Sequence, residues 1–142
     1  MSSGAEIAIF ESLESSDGLP GRKLYKNTMF RNCDFRDGKF IGYRFELCAF
    51  EGCQMAGVDF SEAVLHHCAL PQTVLHRCNF EAATVTESNL AGSDLSGSNL
   101  TNATMRRCNL ENAVFDECVV VDAWISGNNA KGCSWKNLIR ER

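Results

Sequence analysis

The side chains best able to do chemistry in this chain are its eight cysteines and three histidines. Two short segments place imidazoles beside a thiol, HHC at 66–68 and HRC at 76–78. Such ligands bind zinc when they converge at tetrahedral distances, and two thiols at a suitable separation form a disulfide. Either chemistry depends on the backbone that positions these residues, so we turn to the spacing of the rest of the chain.

The apolar residues of the chain recur with a period of five. Every fifth position from Phe30 to Trp135 is apolar, and Phe and Leu occupy most of these positions. The position two residues earlier is mostly Cys, Ala, Ser or Thr, and it contains every cysteine of the protein: Cys33, Cys48, Cys53, Cys68, Cys78, Cys108, Cys118 and Cys133. We therefore predict two inward columns, one of large and one of compact side chains.

This period excludes the two common regular structures. A helix repeats every 3.6 residues and a flat strand every 2, so neither keeps each fifth side chain on one face. A chain that turns a corner in every five-residue unit does so. Its stacked turns bury a continuous core in which each turn contacts only its neighbours.

The units of this chain resemble those of the pentapeptide-repeat family, which read roughly as small residue, Asp or Asn, Leu or Phe, and two polar residues. The closest matches are CDFRD (33–37), CNFEA (78–82), SNLAG (88–92), SDLSG (93–97), SNLTN (98–102) and CNLEN (108–112). The resemblance extends from Thr28 to about Asn137. It implies an all-β fold, a right-handed quadrilateral parallel β-helix (solenoid) with 20 residues per coil and about five and a half coils, roughly 26 Å long.

The same pattern predicts the organisation of the chain. We expect a leader or cap at 1–26, the β-helix at 27–137, and a tail or cap at 138–142. The segment IAIFESL (7–13) is expected to fold over the first coil as a strand or short helix. Gly38, Tyr43 and Asn128 interrupt the compact column, Pro71 follows a core residue, and Ala130 is a small occupant of the large column, so we also expect local bulges near these places.

The register argues against a zinc site. Cys68 and Cys78 point inward, whereas His66, His67 and His76 point outward, and the implied fold places His66 and His76 on opposite sides of a coil. In the implied stacking, Cys33 lies beneath Cys53 and Cys48 beneath Cys68, close enough for disulfides in principle. Because the chain starts without a signal-peptide pattern, we expect buried reduced thiols instead. We predict neither a metal nor a cofactor.

Composition and motifs exclude several classes of function. No nucleophile elbow, phosphate loop or metalloprotease motif is found, so we predict that the protein is not an enzyme. A net charge of -4 without a basic stripe argues against direct nucleic-acid binding. No apolar run is long enough to span a membrane. We expect a cytoplasmic protein, with delivery by a secretion system left open.

One predicted face is acidic. It collects Asp59, Glu62, Glu81 and Asp122 against Lys39. Some members of the family, the quinolone-resistance proteins, resemble B-DNA and act on type II topoisomerases, which suggests a DNA-mimicking inhibitor or protector as an alternative function. A 26 Å length of DNA carries about fifteen negative charges, far more than the net charge of this chain. An ordinary solvated face is the competing interpretation.

Apolar residues near the C-terminus point to a different surface. Val114, Val119, Val121 and Trp124 occupy positions that the repeat usually leaves polar, so we expect them to project outward together. Such a patch commonly marks an interface. The resemblance implies a homodimer through the last coils, although residues 136–142 folding over the patch would also explain it. The favoured function is a protein-interaction or scaffolding module whose partner the sequence does not identify.

Overall fold

The backbone turns a corner at every fifth residue. The computed structural model describes residues 8–12, 19 and 23–141. From Asn27 to Asn137, the second residue after each core position has a φ between 49° and 76°. Glycine adopts this left-handed conformation without strain, whereas other residues adopt it at a cost. A repeated left-handed residue therefore bends the chain at each unit.

Successive turns stack in one register. Nine short strands lie among the described residues. Each pairs in parallel with a strand whose residues lie 20 positions away, as in Ala8↔Thr28 and Thr104↔Trp124. The strands are β1 (Ala8–Glu11), β2 (Leu24–Lys26), β3 (Thr28–Arg31), β4 (Arg44–Glu46), β5 (Ala49–Glu51), β6 (Val64–His66), β7 (Thr84–Thr86), β8 (Thr104–Arg106) and β9 (Trp124–Ser126). The described residues contain no helix.

The stacked turns form four faces, which we name after the core residues Phe30, Phe35, Phe40 and Phe45. The Phe30 face begins with the sheet β1-β3-β5, and the Phe45 face is the sheet β2-β4-β6-β7-β8-β9. The other two faces are joined by parallel bridges such as Asp94↔Val114 and Lys39↔Asp59. The predicted fold is confirmed as a right-handed quadrilateral parallel β-helix. In it, the Phe35 and Phe45 faces lie on opposite sides.

The large inward column forms the core, as predicted. Phe30, Phe40 and Phe60 are fully buried, and rings of successive coils stack on one another. The ring centroids of Phe30 and Phe50 are 4.9 Å apart, and those of Phe60 and Phe80 are 5.2 Å apart. Aromatic pairs of this kind contribute about 0.5–1.5 kcal/mol beyond the area that they bury. The coils are therefore held together along the axis by their core rings as well as by the backbone.

Side chains of the compact column also form hydrogen bonds, which their small size alone does not predict. The Cys and Ser side chains at this position donate hydrogen bonds to the backbone carbonyl of a core residue 23 positions earlier. Examples are Cys78 Sγ to Met55 O (3.1 Å), Ser98 Oγ to Leu75 O (2.9 Å) and Cys118 Sγ to Leu95 O (3.1 Å). A thiol or hydroxyl thus donates a hydrogen bond to a buried carbonyl, in some cases as a second bond, since Leu95 O also accepts from the Ser98 N–H at 3.0 Å. Cys and Ser make the same contact, so either residue type fits the column.

The described part of the segment at 7–13 is a strand over the first coil, one of the two forms expected for it, and the coils extend past both ends of the predicted repeat. Strand β1 lies within the predicted leader, and it stacks on β3 in the same register, with Phe10 above Phe30 at 5.4 Å. At the other end, Ile139 pairs with Val119 as another layer. The described parts of both predicted caps therefore continue the solenoid. The rest of the predicted leader, 1–7, 13–18 and 20–22, lies outside the described residues.

The expected bulges are wrong. The 20-residue register holds on either side of Gly38 and Tyr43, through Lys39↔Asp59 and Arg44↔Val64. Tyr43 is accommodated because its hydroxyl donates to the carbonyl of buried Leu19, 3.0 Å away. Asn128 takes over the role of the compact residue by donating from Nδ2 to Met105 O at 3.0 Å. Hydrogen bonding thus replaces small size at Tyr43 and Asn128. The register also holds around Pro71 and Ala130, through Ala69↔Asn89 and Val74↔Asp94 and through Asn109↔Asn129 and Val114↔Ser134.

The corner conformation predicts opposite effects for two substitutions on the Phe40 face. Gly42 has a φ of 72° and open space around its Cα, so Gly42→Ala adds backbone strain without a clash. We expect it to lower the free energy of unfolding by about 1 kcal/mol. Ala82 occupies the equivalent corner with a φ of 57° and is exposed, so Ala82→Gly relieves strain and raises stability slightly. Urea denaturation midpoints measure both, and shifts of the same sign would contradict the corner as the cause.

The cysteine column predicts thiol reactivity. All eight thiols are free, and all but Cys133 are buried. Burial raises the pKa of Cys78 to about 12 and that of Cys118 to about 11, so thiolate is scarce as well as inaccessible. In mildly alkaline buffer, we expect Ellman's reagent to modify Cys133 first and the other thiols only after unfolding. The Cys133→Ser variant should lose the fast phase, and rapid reaction of several thiols in that folded variant would refute the buried column.

Candidate functional site

The four predicted acidic residues do share one face. Asp59 pairs with Lys39 on one side and Asn79 on the other, and the N–H of Glu62 donates to the carbonyl of Glu81 at 2.9 Å. Asp122 lies at a corner of the same Phe40 face. The face is not continuously acidic, since the exposed Ile41 and Ile139 and the buried Thr101 and Val121 belong to it too. Its carboxylates are therefore separated by uncharged surface.

The predicted apolar patch does not form as expected. Val121 is 8% exposed, so its expected outward orientation is wrong. Val114 and Val119 are half-buried, because Ser134 and Ile139 pair with them in the next layer. Val114 belongs to the Phe35 face and Trp124 to the opposite Phe45 face. The four residues therefore do not make one contiguous surface.

Trp124 is the one member of the predicted patch that projects freely. Its side chain is 57% exposed, and the Arg106 guanidinium lies 4.8 Å from its ring centroid. A cation over an indole face is attracted to the ring electrons. This contact orients the indole, which stays more than half exposed.

Among the described residues, the C-terminal end of the solenoid exposes part of the core. An open cleft of about 410 Å³ is lined by Val120, Ala123, Ile125, Ser126, Gly127, Asn128, Ala130, Trp135, Leu138 and Arg140. Trp135 stacks on Phe115 at 4.2 Å but is itself half-buried, and Ala130 is exposed. Large core residues of the inner coils are fully buried. The sequence indicated this region only through its outward valines, whereas the surface is made by inward positions that no described coil covers.

The histidines lie where the register placed them. His76 is on the Phe35 face, where its Nε2 is 2.7 Å from Asp94 Oδ2. Burial alone would raise the pKa of Asp94, but hydrogen bonds from Ser96 and His76 hold it below its ordinary value. His66 and His67 are on the opposite Phe45 face, so the three histidines do not converge.

The sequence did not lead us to Glu87, which contacts His67. Glu87 lies one coil beyond His67, and its Oε2 is 2.6 Å from His67 Nε2. Its other oxygen is 3.4 Å from Arg107 Nη1. The signal was present in the sequence, because residues 20 apart stack in the implied fold and Glu87 follows His67 by 20 residues.

No described helix is long and apolar enough to cross a membrane.

The comparisons with known proteins agree with this architecture. The family model described as pentapeptide repeat region matches residues 24–99 and 43–117. A comparison with curated proteins finds no match.

Solved structures share the fold at low sequence identity. QnrB1, a plasmid-mediated fluoroquinolone resistance protein, is 18% identical with a TM-score of 0.61 over 95% of this chain and 74% of that chain. Rfr23 from the cyanobacterium Cyanothece 51142 is 15% identical with a TM-score of 0.58 over 95% and 90%. A thylakoid-lumen protein of Arabidopsis thaliana is 20% identical with a TM-score of 0.52 over 82% and 71%. With its repeat matched over most of its length and its coils stacked as observed, the chain belongs to the pentapeptide repeat family.

Proposed function

We propose that the protein is a non-enzymatic interaction module that self-associates end to end through the last coil of its solenoid. The observation that carries this proposal is the partly uncovered core at that end, with Ile125, Ala130 and Trp135 at its centre. Exposed apolar surface of this kind favours association. Members of this repeat family are generally structural or interaction proteins rather than enzymes, which agrees with the proposal.

The backbone of the last coil supports the same conclusion. In the layer before it, the N–H groups of Leu110 and Asn112 donate to the carbonyls of Asn129 and Lys131, each at 2.8 Å. The corresponding N–H groups of Ala130 and Gly132 have no further coil to donate to within the described residues. An open edge of this type is a template for pairing with another chain. A second copy presents the same edge, so a two-fold arrangement covers both at once.

The size of the end sets the expected strength of the dimer. A five-residue side at ~3.3 Å per residue makes a square with an edge of roughly 16 Å, or about 500 Å² for two facing ends. Stable interfaces bury about 1,200–2,000 Å² in total. The end alone is therefore too small for a tight dimer. The exposed side chains of Trp124 and Ile139 at its margin supply additional area, and we expect rapid, concentration-dependent association.

Sedimentation velocity over a range of concentrations tests this proposal. We expect the wild-type chain to shift toward a dimer as the concentration rises and Ala130→Glu to remain monomeric, because the new carboxylate would face its own symmetry mate. Ala130 is exposed, so the substitution removes no packed side chain. Ile41→Glu is the matched control, since it adds the same charge at an exposed position far from the last coil.

Two outcomes would exclude end-to-end association. One is a wild-type chain that stays monomeric at every concentration. The other is an Ala130→Glu variant that dimerises as strongly as the Ile41→Glu control. Circular dichroism of both variants verifies that neither result reflects unfolding.

A DNA-mimicking inhibitor of a type II topoisomerase is the second candidate, because four carboxylates lie on one face. The layers from Lys39 to Asp122 span ~19 Å, over which DNA would carry about eleven negative charges. That face has four carboxylates and one lysine, with apolar side chains between them. Charge matching therefore favours the interaction module.

A gyrase supercoiling assay, with and without a fluoroquinolone, distinguishes the two candidates. We expect no change in supercoiling on adding the protein. If supercoiling is inhibited, and Glu62→Lys with Glu81→Lys abolishes the inhibition while Glu117→Lys on the Phe35 face does not, the acidic face is a DNA mimic after all.

A further inference from the structure

The Phe45 face brings two imidazoles and a carboxylate together. One ring nitrogen of His66, one of His67 and one carboxylate oxygen of Glu87 all lie within 4.8 Å of one another. His67 and Glu87 are in direct contact at 2.6 Å. Glu87 and His66 are half-buried and His67 is exposed, so the group is accessible from solvent.

The backbone beneath this group is rigid. Strands β6 and β7 pair in parallel, with His66 opposite Thr86, and the N–H of His67 donates to the carbonyl of Thr86 at 3.1 Å. His67 and Glu87 occupy equivalent corners, with φ values of 53° and 51°. Because two identical corners are stacked directly on each other, their side chains leave the backbone in the same direction.

The surrounding contacts orient the ligands. Thr86 Oγ1 is 2.7 Å from His66 Nδ1. When His66 Nδ1 carries the proton and donates it to this hydroxyl, Nε2 keeps a free lone pair. A partner on the second ring nitrogen is the usual arrangement around a histidine that binds a metal.

We propose that His66, His67 and Glu87 form a zinc site. Zinc binds imidazole nitrogen and carboxylate oxygen at about 2.0–2.2 Å, which places tetrahedral ligands roughly 3.4 Å apart. The three ligand atoms reach that spacing by rotation of solvent-accessible side chains over a fixed backbone. Two imidazoles favour zinc over calcium or magnesium, which prefer all-oxygen sites. Three protein ligands leave a fourth position for water.

Arg107 opposes the proposed site. Its guanidinium lies 3.4 Å from Glu87 Oε1, so it competes for the carboxylate and repels a cation. The side chain is 70% exposed, and its removal leaves no cavity. Arg107→Gln therefore provides a variant whose expected effect is a gain of affinity, which loss of folding does not produce.

Calorimetric titration of the 142-residue chain with zinc chloride, after treatment with EDTA, tests the proposal. We expect one zinc ion per chain. His67→Ala and Glu87→Gln should each weaken binding at least ten-fold, since even the loss of a residue that only hydrogen-bonds a metal ligand commonly costs that much. Arg107→Gln should tighten binding about ten-fold, the effect of removing one positive charge roughly 6 Å from a divalent cation in water. His76→Ala, on the opposite face, should bind as the wild type does.

Two further measurements distinguish zinc binding at the proposed site from zinc binding by thiols. The titration is repeated in the Cys133→Ser variant, which removes the one half-buried thiol. Cobalt(II) reports the ligand type, because a histidine and carboxylate site lacks intense thiolate charge-transfer bands. Absence of saturable zinc binding, unchanged binding in His67→Ala, or thiolate bands in the cobalt spectrum would each overturn the proposal.

Discussion

A left-handed residue at each corner is the constraint on which the whole structure depends. It bends the backbone after every core residue, so four units close one turn and the next turn lies directly above. Seven of these corners are glycines, and many of the others are strained by about 1 kcal/mol or more. The strain is tolerated because each corner also aligns a backbone ladder, a large core column and a compact column. The free energy gained by packing along the axis offsets the backbone strain of the turns.

The predictability of the fold follows from that repetition. Phe30, Leu75 and Cys118 could be placed inside because their positions recur without interruption, and periodicity is independent of local detail. The positive φ at Glu62 and His67 could not be predicted in the same way, since Gly, Asn and Asp occupy most corners but these two residue types have no preference for that conformation. Tyr43 is the opposite case, because the sequence suggested an irregularity that the structure does not have. Its size suggested a bulge, but a single hydrogen bond to Leu19 keeps it in register.

The candidate surfaces were less predictable because they depend on which residues share a face. Asp59, Glu62 and Glu81 were assigned correctly, since their columns could be counted. Val114 and Trp124 were grouped by their closeness in the sequence, and they lie on opposite faces. Val121 is buried although its repeat position is usually outward, as is Thr101 one layer before it. Burial at that position depends on the neighbouring layers, which a count within one coil does not include.

Surface chemistry on this fold follows the same vertical columns as the core. The ion pairs Arg31 with Glu11, Lys26 with Glu46 and Arg107 with Glu87 each join residues 20 apart. Long side chains on a solvated surface ordinarily gain little from such pairing, because holding them in place costs entropy. Here the layers below fix the separation of the two backbones, so part of that cost is already met by folding. A solenoid of this kind transmits little between distant coils, since each contacts only its neighbours. A change at Ala130 should therefore leave the geometry of His66, His67 and Glu87 intact, and the end of the rod and its Phe45 face can acquire separate functions.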